Sequence, residues 1–154
     1  MKNNIIIRLE NTMFNTKNIE NHLPKAIDKQ SYINTSLPKC KANNNNLLEI
    51  NELLSRIKAM GKNVNVKIVT GFRGNCVYRL LERNGVLGVR VQSTIEQAMG
   101  GCEKESIVVI STSEHDKEVA MQNGVAIVSS IDNKDLILES IGLKKTKKSS
   151  QEAA

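Results

Sequence analysis

Cys76-Val77-Tyr78-Arg79-Leu80-Leu81-Glu82-Arg83, then Asn84-Gly85, then Val86-Leu87-Gly88-Val89-Arg90-Val91-Gln92-Ser93 is the stretch whose reading decides the fold. Asn-Gly between two apolar runs is a strong hairpin signal, because both residues accept the positive φ of a type I′ turn. A turn there pairs Arg83 with Val86, Leu81 with Gly88, Arg79 with Arg90 and Val77 with Gln92, all on one face of the sheet. Tyr78, Leu80, Leu87, Val89 and Val91 then form the core face. Two arginines directly opposite each other repel, so this register expects an anion or a carboxylate over Arg79 and Arg90, or else both side chains splayed into water.

Charge supports the first alternative. The chain has 154 residues and a formal charge of +6. Between Arg56 and Arg90, eight cations face Glu82 alone, a net of +7 that leaves −1 for everything else. Such clustering is the footprint of a nucleic-acid partner, and a ribosome-like, acidic-protein or anionic-lipid partner satisfies the same physics. Only two Phe, two Tyr and no Trp are present, so base stacking is poorly supplied and phosphate contact is the expected mode.

Upstream of the hairpin, residues 1–46 are rich in Asn, Lys, Thr and Ser and end in Asn43-Asn44-Asn45-Asn46, which reads as a loosely structured arm with room for a short helix around Asn18 to Ile27. Helical spacing begins at Leu47 and runs through Leu48, Ile50, Leu53, Leu54 and Ile57 to Met60, where Gly61 stops it. Val64, Val66 and Ile68 alternate as a strand, followed by the turn Gly71-Phe72-Arg73-Gly74. Downstream lie a short helix from Thr94 to Met99 and an apolar strand, Ser106 to Ser111. A helix capped by Ser113 then runs to Gln122, a strand covers Val125 to Val128, and a helix covers Asp132 to Ile141. Residues 143–154 read as a basic solvated tail. The expected order is α-β-β-β-α-β-α-β-α, a mixed sheet with helices on both faces.

Cys40, Cys76 and Cys102 share no metal-ligand or C-x-x-C spacing and read as fillers in a reducing compartment. His22 and His115 have no nucleophile or ligand at a supportive spacing. No apolar run approaches membrane-spanning length, and the Rossmann and Walker phosphate fingerprints are missing. The expectation is an intracellular protein with no membrane partner, without a choice among cytoplasm, nucleus and mitochondrion.

From Leu47 to Ile141 the succession of elements resembles the Mrr-type branch of the restriction-endonuclease-like, PD-(D/E)xK superfamily. The resemblance is carried by Met60-Gly61, Gly71-Phe72-Arg73-Gly74-Asn75, Val91-Gln92, Gln97-Ala98-Met99-Gly100-Gly101 and Val108-Val109-Ile110-Ser111-Thr112-Ser113. It implies a restriction-endonuclease-like core over 47–142 in which an acidic residue, a Gln or Glu and a lysine converge on one face around Mg²⁺. Carried over, the acidic position falls on Arg79, the Gln position on Gln92 and the lysine position on Thr94. Two of the three are lost, and an arginine at a metal-binding position repels a cation while still attracting phosphate.

The reading that follows is a catalytically degenerate nuclease-fold protein with no cofactor. It binds nucleic acid, or a nucleic-acid-bound assembly, through Lys67, Arg73, Arg79, Arg83 and Arg90. One alternative is a Mg²⁺-dependent endonuclease with relocated acids, using Gln92 and Glu96. Another is a structural subunit whose basic face meets an acidic protein.

Overall fold

The computed structural model describes residues 3–43, 46–59, 61 and 63–128. Its centre is β1, Asn4–Arg8, whose Ile5, Ile6 and Ile7 are wholly buried. A run of three β-branched residues is stiff and packs well on a pleated surface, and burial of successive side chains places the strand inside a sheet covered on both sides. β1 pairs in parallel with β2 (Asn65–Val69) on one edge and β4 (Ile107–Ile110) on the other. β3 (Arg90–Gln92) extends the sheet beyond β2, and β5 (Ala126–Val128) beyond β4. The order is β3-β2-β1-β4-β5, parallel throughout.

Parallel neighbours need crossovers, and helices supply them. One face of the sheet, with Ile5, Ile7, Ile68, Val108 and Ile110, packs against α3 (Asn46–Ala59) and α4 (Asn75–Arg83). The other face, with Ile6, Val69, Ile107 and Val109, packs with Ile95 and Ala98 of α5 (Ile95–Met99) and Val119 and Ala120 of α6 (Glu114–Gln122). The helices therefore change sides between β1 and β4. Between β1 and α3 the chain makes an excursion through α1 (Lys17–His22) and α2 (Lys29–Ser36), each followed by a Leu-Pro-Lys 3₁₀ turn. Phe14, Ile19, Ile33 and Leu37 tie this excursion into the α3–α4 core.

The α/β class and the helices on both faces agree with the sequence reading, as do α3, β2, α5, β4, α6 and β5. Three expectations are corrected. The hairpin is replaced by α4, which buries Cys76, Val77, Leu80 and Leu81 at helical spacing and exposes Arg79, Arg83 and Tyr78. The sheet is parallel rather than mixed. Residues 1–46 include the central strand and α2 in place of a loose arm, while α1 falls at the start of the short helix expected around Asn18 to Ile27. Losing the hairpin also dissolves the endonuclease mapping, since Arg79 lies on α4, Gln92 on β3, and Thr94 caps α5 by accepting the Gln97 N–H. The expected helix from Asp132 to Ile141 and the tail at 143–154 lie outside the described residues.

Candidate functional site

In an open parallel sheet, ligands bind beyond the carboxyl ends of the strands where the helices change sides, because diverging crossovers leave a crevice there. Here that point lies between Arg8, the last residue of β1, and Ser111, which follows β4. Arg8 projects towards α6. Its Nε donates to Asp116 Oδ2 and its Nη2 to Asp116 Oδ1, both at 2.7 Å, a bidentate pair. Ser111 Oγ donates to Asp116 Oδ2 at 2.6 Å and accepts from the Ser113 N–H. Asp116 is wholly buried. Burial pushes its carboxyl up, but the hydrogen bonds from Arg8 and Ser111 outweigh that and hold it below the usual carboxylate range. Burial likewise works against the Arg8 charge, and Asp116, followed by Glu10, more than restores it.

The next turns complete the rim. Glu10 Oε2 accepts the Gly71 N–H at 2.8 Å, joining the end of β1 to the loop after β2, while Glu10 Oε1 lies 3.7 Å from Arg8 Nη1. Asn11 takes a left-handed conformation, φ 58°, which an Asn accepts more readily than most residues. Its carbonyl accepts from Asn43 Nδ2 and Thr112 Oγ1, and the Thr12 carbonyl accepts from Asn46 Nδ2. These bonds close the base of the α1–α2 excursion. Above it opens a cleft of about 860 Å³ whose lining includes Arg8, Glu10, Asn11, Lys17, Glu20 and Phe72. Two cations against two lining carboxylates, with Asp116 behind Arg8, leave the cleft without a positive excess. It is not an anion trap.

The residues expected to bind nucleic acid are divided by the fold. Arg79 and Arg83 stand one turn apart on the exposed side of α4. They share a groove of about 460 Å³ with Asn34, Thr35, Lys39 and Glu82, and Arg83 Nη1 donates to the Pro38 carbonyl at 2.9 Å. Arg73 is exposed in the loop before α4. Lys67 and Arg90 lie on the opposite side of the sheet, the side of α5 and α6, and Lys67 Nζ donates to the Ala98 carbonyl at 2.8 Å. Gln92 is half-buried at the end of β3 and Glu96 is exposed in the first turn of α5. Among the described residues no three His, Cys, Asp or Glu side chains are grouped as metal ligands would be.

Arg8, Glu10 and Asp116 escape a reading by composition. The signal present in the sequence is an apolar triplet ending abruptly in a charge, Ile5-Ile6-Ile7-Arg8, which is how a buried strand emerges at the edge of its sheet. Ser113 as a helix cap was legible, and it accepts the Asp116 N–H at 3.3 Å.

No protein family and no curated protein matches this chain. Among solved structures it is similar to a hydrolase from Streptococcus pneumoniae TIGR4, with a TM-score of 0.54 and 16% sequence identity over 90% of this chain and 98% of the other. At that identity the likeness speaks to the fold.

Proposed function

We propose that this chain is a catalytically silent protein on a hydrolase-like α/β fold, acting by binding nucleic acid through the α4 face. One observation carries the first half: the residue ending the central strand, where such sheets place their ligand, is an arginine already bound at both ends of a buried carboxylate. A guanidinium stays protonated in proteins and serves neither as nucleophile nor as general base. Asp116 is out of reach of a substrate, and Glu10 gives one oxygen to the Gly71 amide while the other, buried and without a hydrogen-bond partner among the described residues, lies 3.7 Å from the Arg8 guanidinium. The similar structure is a hydrolase, and Glu10 is the carboxylate of this crevice that the silent reading has to exclude.

Support for the second half is electrostatic. Arg79 and Arg83 with Lys39, and Arg73 nearby, face only Glu82 along the α4 groove. Exposed Tyr78 on the same helix adds an aromatic surface. Phosphate contacts of this kind are read out by salt.

The test has two arms. Purified protein is assayed against p-nitrophenyl phosphate and plasmid DNA with Mg²⁺ or Mn²⁺, and no turnover above blank is expected; hydrolysis that disappears on Glu10→Gln would overturn the silent-crevice reading. Duplex DNA and structured RNA are titrated at low salt, with Arg79→Ala/Arg83→Ala expected to weaken binding and flatten the log K against log salt slope by about 2. Absence of binding to either would reject the nucleic-acid reading and favour an acidic protein partner.

A further inference from the structure

Lys67 of β2 and Arg90 of β3 are register partners on adjacent parallel strands, so they leave the same face of the sheet with backbones about 4.8 Å apart. Like charges so placed weaken a strand pair unless something negative lies between them. Among the described residues neither has a carboxylate within ion-pair distance. Lys67 is steered into position by the Ala98 carbonyl at 2.8 Å and, more weakly, by Cys102 Sγ at 3.9 Å, which leaves one of its three protons uncommitted. Arg90 is exposed and makes no side-chain hydrogen bond among the described residues. The two cations share a pocket of about 250 Å³ with Asn4, Asn65, Gly88 and Cys102. That is below the usual size of a pocket for a whole organic ligand, which begins at about 300 Å³. A Cβ on Gly88 would meet nothing within 4 Å, so open space lies beside the pocket at that point.

We propose that this pocket binds a phosphoryl group, with the Arg90 guanidinium and the Lys67 ammonium as its donors. The shared chemistry is a tetrahedral oxyanion, either free phosphate or a phosphate carried on a larger molecule that continues past Gly88. The site is separate from the cleft above Arg8 and from the α4 groove, so it stands whether or not α4 binds nucleic acid.

The experiment is thermal unfolding of the full chain in inorganic phosphate against sodium chloride of equal ionic strength. A ligand that binds only the folded state raises Tm with its concentration, on the order of 5–10 °C at a hundredfold excess over Kd. Arg90→Gln should keep or slightly raise the phosphate-free Tm, because the side chain is exposed and its repulsion with Lys67 is relieved, and should lose the gain from phosphate. Lys67→Arg should retain part of it. No gain over the chloride control, or an equal gain in Arg90→Gln, would overturn the proposal. Duplex titration of Arg90→Gln separates the sources: weakened duplex binding identifies a backbone phosphate, and unchanged duplex binding with lost thermal response identifies a free oxyanion.

Discussion

Arg8 is one residue at which chemistry, folding and charge meet. Its pair with Asp116 spans 108 residues of sequence and joins β1 to α6, so the interaction depends on the complete fold. Removing one partner leaves the other charge buried and alone, which costs about 3–5 kcal/mol, whereas replacing both by apolar groups of similar volume is often near neutral. Arg8→Met should therefore lower stability by about that amount, and Arg8→Met with Asp116→Leu should recover most of it, as read by urea denaturation. Acid adds a second check. Asp116 is held below its ordinary value, so its contribution is present above the unfolded carboxyl pKa of about 3.9 and is lost as pH falls through the lower folded value. The double variant should show a flatter acid limb than wild type, and identical limbs would remove Asp116 from the account.

At the scale of elements, one dipeptide explains where the sequence was legible and where it was not. Asn-Gly occurs at 84–85 and again at 123–124, each time followed by Val. Both close a helix. Val86 N–H donates to the Leu81 carbonyl and Gly85 N–H to the Glu82 carbonyl, while Val125 N–H and Gly124 N–H do the same to Ala120 and Met121. This is the Schellman arrangement, with glycine in the left-handed region (φ 78° and 67°) and the following valine buried. A type I′ turn also wants glycine there, so the dipeptide alone does not distinguish the two. What decides is the preceding segment: Val77, Leu80 and Leu81 are spaced for a helix face, and the alternation expected of a strand fails at Leu80-Leu81. The elements recovered from sequence carried a cap or unbroken periodicity, such as Thr94, Ser113 and the α3 stripe, whereas β1 is five residues inside an Asn-rich context that composition averages away. Because Gly85 has positive φ and Asn84 does not, Gly85→Ala should cost about 1–2 kcal/mol. Asn84→Ala, which loses only a bond to the Leu80 carbonyl, should cost about 0.5–1.5 kcal/mol. Chemical denaturation separates these from the type I′ alternative, in which both positions are left-handed and Asn84→Ala is the more damaging than a lost bond allows.

Over the whole molecule, the strongest consequence of the fold is that its first residues hold its middle together. β1 is hydrogen-bonded to β2 on one side and β4 on the other, so without it the sheet divides into β2–β3 and β4–β5, two-stranded pieces that are at best marginal alone. Ile5, Ile6, Ile7, Leu9, Met13 and Phe14 are all wholly buried. At about 1.5–3 kcal/mol for each fully buried side chain, their loss removes roughly 9–18 kcal/mol, as much as the entire net stability of an ordinary domain, about 5–15 kcal/mol. A chain beginning at Leu47 should therefore show no cooperative thermal transition by circular dichroism, although it retains α3 through β5 in sequence. A peptide covering residues 1–46, mixed with that fragment, should restore the transition if the two pieces associate through β1. A fragment from Leu47 that unfolds cooperatively by itself would show that the sheet closes without its central strand, and the parallel order on which the Arg8 crevice depends would fall with it.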